Sequence, residues 1–449
     1  MKTLILGGGL AGLSCSYHLG HHNCQIIEKN TYLGGHATSY SRDNAFWDEG
    51  PHVSFTKNPY VKDLLSDSSS SEVLEYPTNV GNYYQAHWIP HPAQSNLYAL
   101  PQPLASKCYE DFLSQQNYKE NSNEPCNYQQ WLDQAFGKTF SRTFPHAYTR
   151  KYWTCDPVNL SIDWVGGRVF RPDLATVTDG YEGKPREGTH YINSIRYPSI
   201  GGFDAFFQGL KDGANVLNAE VASIDLTKRI IKLSNGKIFD YDKLISTLPL
   251  DRFVSLIHDV PAYVKDAASL LRCSSLLLVN ILGHQAICNP NHWLYVYDED
   301  KYSTRITQTH LLSSSNTPDG VAGLQVEVYS SPYRPFPESH DQIASKVLDE
   351  IRDMNLLEQV HSMHTHYVPY ANVIFDQNRR DVQNIILSYL QNFGLVREND
   401  DLEPMTDWNN AHVFTDLGPL SMAGRFAQWK YFWSDDCLLR GQQLSLCYS

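Results

Sequence analysis

Gly7, Gly9 and Gly12 stand in G-x-G-x-x-G spacing directly after the apolar run Thr3-Leu4-Ile5-Leu6 and before a helical pattern through Leu13, Tyr17 and Leu19. The order is strand, tight turn, helix. Two of these glycines let the backbone turn and approach a pyrophosphate, the third lets helix and strand pack closely, and the helix N-terminus faces the phosphate charge. A second apolar strand, Gln25-Ile26-Ile27, ends in Glu28. A carboxylate about 20 residues after the glycines is where such folds hydrogen-bond a ribose, and it disfavours a 2′-phosphate. These residues predict a dinucleotide site.

The residues after Glu28 separate flavin from nicotinamide. Lys29 to Ala37 contains Gly34-Gly35, and the run resembles the E-x(5)-G-G continuation of FAD-containing oxidoreductases of the amine oxidase type. FAD is therefore the expected cofactor. No second G-x-G-x-x-G follows a strand, so no separate NAD(P)H-binding domain is expected. The 36 Lys+Arg against 49 Asp+Glu leave a net charge of −13, which argues against a nucleic-acid or anionic-membrane surface. An anionic substrate must then be caught by locally placed Arg. The nine Cys lack metal-ligand or C-x-x-C spacing and fit a reducing cytoplasm, and no metal is expected. No signal peptide and no apolar stretch of the ~20 residues needed for a membrane span is seen. The sequence predicts a soluble, cytoplasmic protein.

The elements that must position this chemistry read as an α/β fold: a Rossmann-like FAD-binding domain of the glutathione-reductase/amine-oxidase type, with an inserted helical domain and an antiparallel β-sheet domain. Residues 1–90, 195–265 and 405–449 are predicted to form the discontinuous FAD-binding domain, 91–194 a mainly helical substrate domain, and 266–404 the sheet domain with flanking helices. Tyr128, Trp131, Leu132, Phe136 and Phe140 recur at near-helical spacing, and these aromatics, with Tyr148, Tyr152 and Trp153, read as core. Val216 to Leu233 and the Asn235-Gly236 turn read as a β meander, and 240–249 as a strand returning to the cofactor domain. Segments at 273–283, 291–298, 303–312 and 322–330 alternate like antiparallel strands suited to roofing a flavin. Gly424 to about Leu444 reads as a loop entering a helix. Cys288 to Asn291 and the 180–190 segment with Gly180, Gly183 and Gly188 are candidate lids.

Six further segments, in order, resemble the UDP-galactopyranose mutase family, nearest its eukaryotic-type branch. They are Gly50-Pro51-His52 within Asp48 to Phe55, Trp88 to Gln94, Trp164 to Arg168 with Pro172, Arg196-Tyr197-Pro198 with Gly201-Gly202, Trp293-Leu294-Tyr295 with Arg305, and Gly424-Arg425-Phe426 with Trp429, Lys430 and Tyr431. The resemblance implies interconversion of pyranose and furanose forms of a nucleotide-diphosphate sugar with no net redox change. Reduced flavin N5 would be the nucleophile at the anomeric carbon. Reducing equivalents would come from NAD(P)H or a reductase. It further implies that Arg168 and Arg305 flank the diphosphate, where planar guanidinium groups match phosphate oxygens. Tyr295, Tyr370 and Tyr431 would donate phenols to it. His52 would tune the flavin with the Pro51 carbonyl near N5, and Arg425 would stabilise the reduced anion by charge. Gly7, Gly9, Gly12, Glu28, Gly34, Gly35 and Val221 complete the implied cofactor contacts.

The sequence departs from the family where specificity is set. His91 and Ala93 stand where a Tyr and a Phe flank the nucleobase, and only Gln94 of that local set is kept. A missing stacking aromatic costs ~1–3 kcal/mol by analogy with nucleic-acid stacking. The polar pair at the last helix is Asp435-Asp436, an altered contact to flavin or ribose. An oxidase or dehydrogenase of the amine oxidase or protoporphyrinogen oxidase type, and a catalytically silent flavin or nucleotide-sugar binding protein, remain alternatives at this stage.

Overall fold

The computed structural model describes residues 2–118, 124–185, 192–397 and 418–448. Its first layer is a five-stranded parallel sheet in the order Leu420–Met422, Lys243–Ser246, Thr3–Leu6, Cys24–Glu28, Val216–Asn218. Thr3–Leu6 is buried throughout, as expected of a central parallel strand covered on both faces. The helices Leu10–Leu19 and Ser434–Tyr448 pack closely. Ser14 Oγ donates to the Leu438 carbonyl at 2.6 Å, and a Cβ on Gly441 would stand 2.5 Å from the Ser14 carbonyl carbon. Glycine there lets the last helix seat on the first.

The second layer is a seven-stranded mixed sheet in the order Leu357–Val373, Cys273–Gln285, Ala322–Ser330, Arg305–Gln308, Trp293–Val296, Val80–Tyr84, His87–Pro90. All neighbours are antiparallel except Trp293–Val296 with Val80–Tyr84. Alternation along its strands divides the faces. Leu277, Val279, Leu294, Ile306, Leu324 and Val326 form a core with Ile343, Val347 and Ile351 of the helix His340–Asp353. Ser339 and Gln342 make a capping box at that helix's start. The opposite face carries Tyr295, Arg305, Thr307, Gln325, Glu327 and Tyr329, in register across neighbouring strands.

The fold class is the one expected, with three corrections to its parts. Val80–Pro90 was expected in the cofactor domain ending at residue 90, but both its strands hydrogen-bond into the seven-stranded sheet. Val216–Asn218 joins the parallel sheet beside Cys24–Glu28; the meander proper is Val221–Asp225, Ile230–Leu233 and Ile238–Asp240. The 17-residue strand Leu357–Val373 had no counterpart in the sequence reading. Its His and Ser residues hide the period.

A helical layer of Gln102–Tyr118, Tyr128–Phe136, Lys138–Ser141, Ala147–Tyr152 and Leu174–Tyr181 meets the mixed sheet where Ala147–Tyr152 packs on Ala322–Ser330. A π-helical turn at Arg142–His146 contains Pro145; proline removes a helix donor, and a wider turn absorbs the break. Asn127 caps the second of these helices by accepting from the Gln130 amide. Gly180 packs rather than hinges, since a Cβ there would meet the Ser95 carbonyl at 2.3 Å. Gln308 Nε2 donates to the Asn289 carbonyl at 2.9 Å, which ties down the other candidate lid. Gly188 lies outside the described residues. Among the described residues no helix is long and apolar enough to cross a membrane.

Candidate active site

A cavity of about 1050 Å³ runs from the glycine-rich turn, under the polar face of the mixed sheet, to the helical layer. It exceeds the usual range of small-ligand pockets, roughly 300–1,000 Å³. Gly7, with φ +98°, is pressed against Thr247, whose Oγ1 would stand 2.4 Å from an added Cβ; a Cβ on Gly12 would meet the Gly7 carbonyl oxygen at 2.0 Å. Gly12 therefore shapes the turn from beneath and is not itself on the wall. At Gly9 an added Cβ would meet only Gly35 Cα at 3.9 Å, and Gly9, Gly34 and Gly35 line the cavity. The helix Leu10–Leu19 begins at Gly9 with no side-chain cap and no acidic residue in its first turn, so its amide donors suit a pyrophosphate. Glu28 accepts from the Gly8 amide at 2.7 Å and the Asn30 amide at 2.8 Å, and it lines the cavity with Val221. These residues fit FAD.

On the sheet side, Tyr295, Arg305 and Glu327 are cross-strand neighbours. Arg305 Nε and Nη2 donate to Glu327 Oε1 at 3.0 and 2.5 Å. Tyr329 donates to the other carboxylate oxygen at 2.7 Å, and Glu327 is 0% exposed. Burial is the largest single influence and opposes the charge on Arg305, but the Glu327 carboxylate together with Tyr329, Tyr148 and Tyr295 outweighs it and holds the guanidinium well above its ordinary value. Tyr148 stands edge-on to Tyr295 at 5.4 Å and stacks on Tyr152 at 5.5 Å. The two sit one helical turn apart on Ala147–Tyr152, on one face. Burial pushes both phenols far up, so they stay protonated donors.

Arg168, Arg425, Tyr431 and Trp433 build another part of the wall. The Arg168 guanidinium lies over Tyr431 at 4.5 Å and over Trp433 at 4.2 Å. Its Nη2 donates to the Tyr431 carbonyl at 2.7 Å and approaches Asp436 at 3.8 Å. Its Nη1 is buried without a partner. Arg425 donates to the Phe432 and Ala371 carbonyls at 2.6 and 3.2 Å and to Asn372 Oδ1 at 3.3 Å. That same oxygen accepts from the Tyr152 hydroxyl at 3.2 Å. Burial, then the Arg425 charge, pushes His52 down to about 3. His52 is a neutral ring stacked on Phe203 at 5.2 Å, its Nδ1 bonded to the Gly50 carbonyl.

Most of the residues singled out from sequence meet on this one surface: His52, Pro51, Arg168, Arg305, Gln94, His91, Tyr295, Tyr431 and Arg425 all line the cavity. Gln94 donates to the Phe170 carbonyl at 3.3 Å. Asn82 Nδ2 donates to the Ile89 and Pro90 carbonyls, so its Oδ1 accepts from His91 Nδ1 at 3.0 Å. Ala93 is buried off the wall. Two expectations are corrected. Tyr370 lines the cavity, but its hydroxyl donates to Asp251 at 3.0 Å, so it is not aimed at the arginines. Asp435 and Asp436 are buried behind the wall. Asp436 accepts from the Trp433 amide at 2.7 Å, a cap on the last helix, and burial followed by Asp435 raises its carboxyl. Glu327, Tyr148, Tyr152, Tyr329 and Asn372 were missed. One signal was legible: Gln325, Glu327 and Tyr329 recur at period two within the otherwise apolar strand Ala322–Ser330.

The sequence pattern of flavin-containing amine oxidoreductases matches residues 10–384. The chain belongs to that family. It is an FAD enzyme of the amine oxidase type, and the cradle around Gly7 to Gly12 fits that cofactor. Among solved structures its fold is similar to that of reduced UDP-galactopyranose mutase, with a TM-score of 0.87 and 22% identity, covering 100% of this chain and 96% of that one. It is also similar to a protein from Exiguobacterium sp. 255-15 named provisionally as a protoporphyrinogen oxidase, with a TM-score of 0.72 and 13% identity over 99% of this chain and 98% of that one. Among curated proteins, 108 residues are 31% identical to a 15-cis-phytoene desaturase of Synechococcus elongatus, covering 21% of this chain and 23% of the desaturase. The chain thus spans under a quarter of that relative's length. The fold expected from the mutase resemblance is the fold found.

Proposed function

We propose that this flavoenzyme interconverts pyranose and furanose forms of a nucleotide-diphosphate sugar, without net redox change. The observation that carries this reading is the pair Arg168 and Arg305 on the wall of the same cavity as the glycine cradle, with one Arg168 nitrogen buried and unpartnered. A buried donor without an acceptor costs about 1–3 kcal/mol, and a phosphate oxygen would relieve that cost. When bound and reduced, the flavin supplies the nucleophile for the anomeric carbon. NAD(P)H or a reductase would supply its electrons.

The residues of the chain hold and orient. Arg168 and Arg305 bind the diphosphate, Tyr295 and Tyr431 donate to it, and Tyr148 extends the donor set. As the diphosphate departs, its charge grows against fixed donors that need no reorganisation. The same grip keeps it near the sugar for recapture. Arg425 places a positive charge beside the site for the reduced ring. His52, neutral down to about pH 3, accepts or donates a hydrogen bond without adding charge. His91 and Gln94 would face the nucleobase. An amine-oxidising reading would call on Glu327, the buried carboxylate on the wall, to receive a cationic substrate. Arg305 and Tyr329 already occupy it, which favours the anion.

The test is to reduce the purified enzyme with dithionite and screen a panel of nucleotide sugars by product chromatography. Ring contraction by the reduced form supports the mutase. Turnover only as substrate oxidation contradicts it, and binding without either reaction leaves a silent binder.

A further inference from the structure

We propose that Lys151, a residue off the cavity wall, is a positioning residue for the diphosphate site: it locks the loop that joins the Tyr295 strand to the Arg305 strand. The loop runs from residue 297 to 304, between Trp293–Val296 and Arg305–Gln308. Lys151 lies on Ala147–Tyr152, the short helix that presents Tyr148 and Tyr152 to the same cavity. Its side chain is 3% exposed. The ammonium donates to the Val296, Asp298 and Ser303 carbonyls at 3.0, 2.7 and 2.7 Å. These satisfy all three of its hydrogens and bind both ends of the loop. A buried ammonium that touches only backbone oxygens has no reacting group to serve. What it fixes is the separation between helix and hairpin.

A second buried charge grips the loop from the far side. Glu350, on His340–Asp353, accepts from the Tyr302 amide at 2.6 Å, the Ser303 amide at 2.9 Å and the Ser303 hydroxyl at 2.6 Å. Burial pushes Lys151 down to about 7 while the Glu350 charge opposes that shift, so the two grips support each other electrostatically. Tyr295 and Arg305 lie at the two ends of the clamped segment. A loosened loop therefore displaces the phosphate donors before it disturbs the flavin cradle on the other sheet.

This inference rests on the reading of Arg305 as a diphosphate contact, and the two are tested together by a double-mutant cycle with uridine diphosphate as the probe. Affinity, flavin spectrum and melting temperature are measured for the FAD-loaded wild type, Lys151→Met, Arg305→Ala, Arg168→Ala and the doubles. Lys151→Met should weaken the probe ~10-fold with the flavin spectrum unchanged, add little on the Arg305→Ala background and add fully on Arg168→Ala. Should Lys151→Met not fold, Glu350→Gln goes through the same cycle with the same expected pattern at a smaller, roughly threefold loss. Equal additivity on both backgrounds, or a loss confined to melting temperature, overturns the positioning role and leaves the diphosphate reading standing. No effect of Arg305→Ala on affinity overturns both.

Discussion

Arg168 and Arg305 share a cavity and differ in how their charges are met. Arg305 is paired with a carboxylate that is 0% exposed and itself held by Tyr329. Arg168 is flanked by two aromatic faces, approaches Asp436 only to 3.8 Å and keeps a buried Nη1 without a partner. Burial raises the Asp436 carboxyl, so that neighbour gives up its proton reluctantly and offsets little of the Arg168 charge. On the proposed diphosphate reading, the sheet arginine would supply geometry, and the arginine packed against Tyr431 and Trp433 would supply net attraction. A guanidinium already neutralised can still orient a phosphate through its fork. It cannot add much long-range pull.

The two arginines should differ most in stability. Arg305→Ala leaves Glu327 buried and unpaired, which should cost about 3–5 kcal/mol in denaturant unfolding, and Glu327→Gln on that background should recover much of the loss. Arg168→Ala, lacking a full ion-pair partner, should unfold close to the wild type. If both variants lose equally, the contrast is wrong. Affinity for a nucleoside diphosphate should rank the other way, with ~100-fold loss for Arg168→Ala and ~10-fold for Arg305→Ala by calorimetry, since a charged hydrogen bond contributes ~1.5–3 kcal/mol. A smaller effect sharpens the role of shape. Arg168→Lys should recover only a few-fold, because a point charge cannot stack between Tyr431 and Trp433 and still fork onto phosphate; full recovery would mean simple attraction. Smallest is a pH effect at His52. Its imidazole is lowered to about 3 from 6.5, so the contribution of the neutral ring is complete above pH 6.5 and declines as the pH falls toward 3. The melting temperature of the wild type should therefore drop toward that of His52→Asn between pH 7 and pH 5, and a constant gap would contradict the burial argument.

What was legible in the sequence was local. The turn at Gly7 to Gly12, Glu28 at the end of its strand and the returning strand Lys243–Ser246 follow from short-range patterns that a parallel sheet imposes. Tyr295 and Arg305 are singled out through the resemblance of Trp293-Leu294-Tyr295 with Arg305 to the mutase family, and the structure pairs them directly across a hairpin. Glu327 reaches Arg305 through register with a strand about 20 residues on, and spacing alone does not fix register. Val80–Tyr84 pairs with a segment about two hundred residues later, which no window along the chain detects. Tyr148 and Tyr152 read as core because an aromatic on a helix has the same period whether it faces other side chains or a cavity. The partner of Tyr370 was not legible because Asp251, on the helix Leu250–Leu256, is 119 residues away in sequence.

On the proposed reading, the enzyme performs redox-neutral sugar chemistry on a flavin and holds its substrate by the diphosphate. The most direct test of this is anaerobic spectroscopy during turnover. The account predicts that nucleotide sugar leaves the oxidised flavin spectrum unbleached, and that chemically reduced enzyme forms furanose product over many turnovers while its spectrum stays that of reduced flavin. Stoichiometric bleaching of oxidised flavin by the sugar, with an oxidised product and no furanose, would contradict it.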